Sequence, residues 1–438
     1  MKAKDFEVKT LGECTVKSPL GLAKEKGERM FDFISDDLKV LYNVTYKNSE
    51  KGQKQDLIAF EKAGPRENLF FDPSKTKAAI VTCGGLCPGI NNVIRSIVMG
   101  LYYRYKVTNV VGVRYGYQGF IPKFNIPFIE LTPQNVGQIH QFGGSVLASS
   151  RGQQDVGEIV DALVRNNINI LFTIGGDGTL KGAQAISDEI EKRGLKISVV
   201  GIPKTIDNDI NLVEKSFGFE TAFTMANPII RDAHNEAKGA YNGIAIVKLM
   251  GRDSGFIAAH AALSMPDVNF VLVPEIRFDL YGKNGFLESL RKRLDKRHHA
   301  LIVVAEGAGQ YFFEDEKEKQ TDASGNVRYD DIGIYLKNKI NDYFKGEDVT
   351  VKYIDPSYII RSAPANASDS VFCSRLALNA VHGAMAGKTG FVASRWNNQF
   401  VYLPIPVAVK ERKKIDLAGE LWWNVLEATG QPPEMRDL

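Results

Sequence analysis

The chain has 438 residues, 44% of them hydrophobic and 24% charged, a globular composition at a length that suits two domains rather than one. Its 55 Lys and Arg against 52 Asp and Glu leave a net charge of +3 with no long basic block, which argues against a nucleic-acid partner. No apolar stretch reaches the ~20 residues of a membrane span, the first residues lack the apolar region of a secretion signal, and four cysteines without a second Cys or His pair read as reduced thiols of a cytoplasmic protein rather than a zinc site.

Residues 1–75 are rich in Lys, Glu and Asp and show no strand–helix rhythm; they are expected to form an N-terminal extension packed on the rest. From residue 77 short apolar runs recur between helix-like segments: Lys77–Thr82, Asn109–Val113, Ile168–Ile174, Ile197–Ile202, Gly243–Leu249, Asn269–Pro274 and Leu301–Ala305. Runs this short without alternation suit strands buried on both faces. Their alternation with helices predicts an α/β fold of two Rossmann-like αβα sandwich domains with mostly parallel sheets, the second sheet beginning near residue 240. Arg291-Lys292-Arg293 with Lys296-Arg297 has helical spacing and reads as a solvated helix face. Residues 310–330, with alternating charges at Glu314–Lys319, predict an exposed polar loop or hairpin.

In parallel sheets ligands bind at the carboxyl ends of strands, and the informative motifs sit just after the apolar runs. The first is Thr82-Cys83-Gly84-Gly85-Leu86-Cys87-Pro88-Gly89-Ile90-Asn91, opening a helix expected at Asn91–Leu101; its backbone amides can approach a phosphate. The second is Gly175-Gly176-Asp177-Gly178-Thr179 with Gly182. Four glycines let the main chain crowd a polyphosphate, and an acid beside phosphate needs a cation between them, so Asp177 is the candidate Mg2+ ligand, with helix capping as its structural alternative.

The third is Lys204-Thr205-Ile206-Asp207-Asn208-Asp209. One of two nearby carboxylates can accept the proton of an attacking hydroxyl while the other orients it or holds metal, and Lys204 can neutralise a phosphoryl group in transfer; an Asx-rich turn is the structural alternative. Met250-Gly251-Arg252, Glu306-Gly307 and Tyr358 with Arg361 offer contacts for sugar hydroxyls and a phosphate monoester. Gly383–Thr389 imitates a Walker A loop, but it is one residue short and follows a helix expected at Ser374–Met385, so Gly387 reads as a helix C-cap.

Taken together, the motifs from about residue 77 to 430 closely resemble the phosphofructokinase family, and most of all its longer subgroup with an N-terminal extension, judged by Gly144–Leu147 before Ser150-Arg151-Gly152 and by Leu421-Trp422-Trp423. The resemblance implies transfer of a phosphoryl group to the 1-hydroxyl of fructose 6-phosphate. Asp207 would be the general base, with Lys204 and Arg252 also catalytic. Thr205, Asp207, Asp209, Met250, Gly251, Arg252, Glu306, Tyr358 and Arg361 would hold the sugar phosphate. Gly85, Arg151, Asp177, Gly178, Thr179 and Gly182 would hold the phosphoryl donor and Mg2+. It also implies a homo-oligomer, dimer or tetramer, and a division into the extension 1–75, a donor domain 76–218 completed by 370–405, and a fructose 6-phosphate domain 219–369 completed by 406–438.

Pyrophosphate-using members of the family tend to carry Asp where Gly178 stands and Lys at 204, whereas ATP-using members tend to carry Gly at the first position; Lys204 is compatible with either donor, since the extended ATP-using subgroup also shows it. A side chain at 178 would fill the path of a nucleotide's α-phosphate, so the expected donor is ATP, with pyrophosphate as the alternative. Gly243 and Leu86 depart from short bacterial forms, which puts an intersubunit phosphate-binding arginine in doubt. A catalytically silent subunit of the same fold would be expected to lose Asp207 or Asp177, and this chain has both. A lipid or NAD kinase shares Gly-Gly-Asp-Gly-Thr but is disfavoured by the paired acids and by Met250-Gly251-Arg252; a dehydrogenase is disfavoured by the missing G-x-G-x-x-G.

Overall fold

The apolar run Lys77–Thr82 is buried from Ala78 onward, and Ile170–Gly175 and Ser198–Pro203 are buried throughout, the signature of strands covered on both faces. A computed structural model describes residues 2–23, 31–45, 58–313 and 328–437. In it the chain divides into two compact units: Met1–Thr205 with Ile210–Gly218 and Ala363–Glu411, and Ile206–Asp209 with Phe219–Ser362 and Arg412–Leu438. The extension belongs to the first unit, and the acids of the third motif belong to the second.

The first unit is built on a nine-stranded sheet in the order 39–41, 59–62, 399–404, 391–396, 198–203, 170–175, 77–82, 109–113, 129–130. The five strands from 391–396 to 109–113 run parallel, and antiparallel pairs close both sides. The strand after 77–82 lies on one side of it and 170–175 on the other, so the loops leaving these two neighbours open at a topological switch point. The expected strands at 77, 109, 168 and 197 are present within two residues of their bounds, as Lys77–Thr82, Asn109–Val113, Ile170–Gly175 and Ser198–Pro203.

The extension does more than pack on the rest: Lys39–Leu41 and Ala59–Lys62 are strands of this sheet. Phe60 is fully buried against Phe6 (edge-on, 5.2 Å) and Trp396 (5.3 Å). The first helix runs Ile90–Met99 and continues as a wider turn, Gly100–Tyr105. Asn366 caps the helix Ala367–Met385 by accepting the Asp369 N–H. Gly387 lies just beyond that helix with φ +70°, one residue past its cap Ala386.

The second unit holds a four-stranded, all-parallel sheet in the order 270–272, 299–305, 243–249, 350–354. Helices Phe219–Lys238 and Phe256–Ser264 cover one face with an alanine-rich core that includes Ala226, Ala233, Ala258 and Ala262. Helices Phe286–Arg297 and Ile332–Tyr343 supply Leu290, Leu294, Leu336 and Ile340 on the other. The expected polar loop at 310–330 begins with a single turn, Gln310–Phe313; residues 314–327 lie outside the described residues. Gly243 opens its strand where any side chain would run into the carbonyl of Ala237. No described helix is long and apolar enough to cross a membrane.

Candidate active site

Two constellations form, each within its own unit. In the first unit the loop after Thr82 turns at Gly84, whose φ of +87° suits glycine. The Gly84 N–H donates to the Ser150 carbonyl at 3.0 Å, and Ser149 Oγ donates to the Gly84 carbonyl at 2.6 Å. Residues 149–151 are thereby laid along the loop, and a Cβ on Gly85 would stand 3.6 Å from Arg151 Nη2. Lys204 is nearly buried; its Nζ donates to the Gly85 carbonyl at 2.6 Å and its N–H to the Gly175 carbonyl at 2.9 Å. The lysine therefore joins the glycine loops that follow strands 77–82 and 170–175. Thr205 accepts the Ser216 hydroxyl on its carbonyl at 2.6 Å.

The helix Asp177–Lys192 starts directly after strand 170–175. Gly176 is its N-cap, so Asp177 does not cap; it stands in the first turn, where a carboxylate is favoured by the helix dipole. Its carboxylate is mostly covered and meets Lys181 Nζ at 2.9 Å. Gly178 has open space on its Cβ side, with no atom within 4 Å. Thr179 is buried and its carbonyl accepts the Tyr117 hydroxyl at 2.9 Å. Gly182 has a packing reason for lacking a side chain, since a Cβ there would come within 2.8 Å of the Tyr117 ring. No cluster of three or more His, Cys, Asp or Glu able to hold a metal occurs among the described residues. All four cysteines are free, and burial pushes the Cys83 thiol up to about 12, leaving it inert behind the first loop.

In the second unit, the strands 243–249 and 299–305 end side by side. The Glu306 N–H donates to the Leu249 carbonyl at 2.9 Å and the Gly307 N–H to Gly251 at 3.0 Å. Gly251 takes φ +132°, and a Cβ on it would come within 2.6 Å of the Ser254 carbonyl. The turn Met250–Ser254 meets the acidic turn directly: the Arg252 N–H donates to Asp207 Oδ2 at 3.4 Å, and Ser254 Oγ donates to the Asp207 carbonyl at 3.2 Å. Asn208 holds the turn between the two acids with φ +55°, a conformation asparagine tolerates.

Burial, then the charges of Asp209, Glu306 and Asp253, raise Asp207 well above the usual carboxylate range, against the lowering effect of the Arg252 N–H. Burial raises Glu306 as well, while Arg252, Lys248 and Arg361 hold it back. Arg361, on the short helix Ser357–Arg361, lies 4.5 Å from the ring centre of the exposed Tyr358. Met250 has its side chain in the apolar core, so a sugar contact there falls to its backbone or the edge of its side chain.

Three participants escaped the sequence. The Arg252 guanidinium lies 4.1 Å over the Tyr329 ring, Lys248 sits between Asp331 (2.6 Å) and Asp355 (3.0 Å), and Arg412 pairs with Asp209 at 2.7 Å. None belongs to a glycine-rich or paired-acid motif, and Arg412 stands in a run, Lys410–Lys414, that reads as surface charge.

The family model described as Phosphofructokinase matches residues 77–384. The chain is 54% identical, over 99% of its length and 98% of the relative, to the ATP-dependent 6-phosphofructokinase of Borreliella burgdorferi. It is 44% identical, over 98% of its length and 95% of the relative, to the ATP-dependent 6-phosphofructokinase of Amycolatopsis methanolica. Among solved structures, the pyrophosphate-dependent phosphofructokinase of Marinobacter aquaeolei aligns with TM-score 0.66 at 19% identity, covering 81% of this chain and 91% of that one. The Pichia pastoris phosphofructokinase aligns with TM-score 0.61 at 21% identity, covering 90% of this chain and 40% of that one. At those identities the structural likeness speaks for the fold.

Proposed function

The chain belongs to the phosphofructokinase family, and we propose that it is an ATP-dependent 6-phosphofructokinase, moving the γ-phosphoryl group of ATP to the 1-hydroxyl of fructose 6-phosphate. The observation that carries the donor is the 54% identity, over nearly the whole of both chains, to an enzyme named for ATP. The open space at Gly178 agrees with it.

Asp207 is the base. Its raised pKa makes it a stronger proton acceptor than an ordinary aspartate, and it takes the hydroxyl proton as the oxygen attacks the γ-phosphorus and ADP leaves. The Arg252 N–H on Asp207 Oδ2 sets that oxygen's direction. The Arg252 side chain, stacked on Tyr329, Glu306 on the neighbouring strand end, and Arg361 with Tyr358 hold the sugar phosphate, the arginines by their planar donor forks. Asp209, Met250, Gly251 and Thr205 complete that set. Gly85, Arg151, Gly178, Thr179 and Gly182 line the donor's path, and Lys204 neutralises the phosphoryl group in transfer. Asp177 would hold Mg2+, which supplies charge neutralisation on the phosphates. The first unit serves as the donor domain and the second as the fructose 6-phosphate domain. The protein works as a homo-oligomer in the cytoplasm.

Steady-state turnover of fructose 6-phosphate with ATP and with pyrophosphate, side by side, tests this. Turnover with ATP and little with pyrophosphate is expected; the reverse preference would refute the donor, and no turnover with either would refute the activity.

A further inference from the structure

Asp209 is buried beside a base that its charge disturbs, and the structure supplies it with a cation from far along the chain. Arg412 Nη1 donates to Asp209 Oδ2 at 2.7 Å, and its Nε lies 3.9 Å from Asp253 Oδ2. The side chain of Asp209 is 4% exposed and that of Arg412 31%, so this pair is largely withdrawn from water. The backbone joins in: the Lys413 N–H donates to the Asp209 carbonyl at 2.9 Å. Two residues on, the Ile415 N–H donates at 2.9 Å to Glu275, whose carboxylate also accepts the Gly255 N–H at 3.1 Å. Arg412–Ile415 is thus stitched both to the acidic turn and to the residue after Ser254.

An isolated buried carboxylate either finds a cation or takes up a proton. A guanidinium does more than a point charge, because its flat fork reaches two acids and fixes their direction. Here the two acids, Asp209 and Asp253, flank the contacts by which Arg252 and Ser254 hold Asp207.

We propose that Arg412 is a positioning residue for phosphoryl transfer: by clamping the carboxylate of Asp209, with Lys413 clamping its carbonyl, it fixes the Ile206–Asp209 turn and so the direction in which Asp207 meets the sugar hydroxyl. The inference rests on Asp207 being the base. It separates a role in turnover from a role in folding, since a merely structural ion pair would change stability and leave the turnover of folded enzyme alone.

The test is full-length enzyme carrying Arg412→Met, Arg412→Lys, Asp209→Asn, the Asp209→Asn/Arg412→Met pair, and Asp207→Ser, assayed with ATP and fructose 6-phosphate after circular dichroism has shown each to be folded. Small misplacements of a reacting group cost about a hundredfold in rate, and a fall in kcat of that order with KM for fructose 6-phosphate kept is expected for Arg412→Met. Arg412→Lys should recover part of it, and the double variant should lose less than the two single losses combined. Unchanged kcat in Arg412→Met, or losses that simply multiply in the double variant, would overturn the proposal. Should the methionine variant not fold, the lysine variant decides: reduced kcat with KM kept supports the clamp, and wild-type kcat overturns it. Asp207→Ser separates the two readings. Normal turnover there removes the base and this inference together; an inactive Asp207→Ser beside an unimpaired Arg412→Met removes this inference alone.

Discussion

Asp207 is surrounded by carboxylates, and that environment makes a measurable claim. Because burial and the charges of Asp209, Glu306 and Asp253 raise its pKa, it keeps its proton to higher pH than an ordinary aspartate, and activity should rise with pH through that raised value. Asp209→Asn removes the largest of the three charges and should move the acid limb of the kcat/KM profile to lower pH; a limb that stays put or moves up would contradict this electrostatic account. Asp207→Ser should remove most turnover while fructose 6-phosphate still binds in calorimetry, and a near-normal kcat would sink the base assignment. Gly178→Asp probes the donor. With nothing within 4 Å of a Cβ at this position, the substitution meets no clash at its first atom and the thermal midpoint should hold. A carboxylate there would both fill the donor's path and set a like charge against its phosphates, so kcat/KM for ATP should fall by at least about tenfold; unchanged ATP kinetics would refute the reading of Gly178 as the opening for the donor.

The elements that were easiest to read were those whose own residues determine them. Lys77–Thr82, Asn109–Val113 and Gly243–Leu249 have the bounds their apolar runs predict, because a strand buried on both faces must be apolar along its length. The glycine and acid loops were legible for a similar reason: the chemistry needs those residue types at consecutive positions. What escaped depends on partners distant in sequence. Ala59–Lys62 is four residues long, with only Phe60 fully buried, and its pairing with Lys39–Leu41 and with Gln399–Pro404 makes it a strand. Gly182 stands out as a phosphate-loop glycine, but nothing local shows that the Tyr117 ring would also meet a side chain there. Arg412 has no local pattern to announce it. The helix Ala367–Met385 shows the same dependence in its pH behaviour. Its His382 is buried against Tyr105 (2.6 Å), and burial, then the Arg66 and Arg104 charges, lower its pKa from 6.5 to about 3. The unfolded chain thus binds a proton that the folded one refuses; the stability is intact above about pH 6.5 and lost progressively as pH falls toward 3. His382→Gln should flatten that part of the unfolding free-energy curve measured in urea across pH; an unchanged slope would count against the burial argument.

At the scale of the whole molecule, the extension is tied into its unit by charge as well as by strand pairing. Glu61 accepts Arg66 at 2.7 Å and Lys388 at 2.6 Å, and both cations also meet Asp36. Arg66 and Lys388 have side chains only 5% exposed. Removing the shared acid with Glu61→Ala leaves two nearly buried cations short of a partner, and should destabilise the protein by about 3–5 kcal/mol in urea unfolding; a loss within error would show the network to be solvent-screened. The strand order of that sheet also sets a timetable. Ala59–Lys62 has the short strand Lys39–Leu41 as one neighbour, and the other, Gln399–Pro404, follows it by more than 330 residues. At about 5–20 residues per second of synthesis, the wait lasts tens of seconds. Throughout it the apolar face of Phe60 lacks Trp396, and the edge of an unfinished sheet stands open to other chains. A chain stopped before Trp396 would therefore leave Ala59–Lys62 without its longer neighbour and Phe60 without the Trp396 ring.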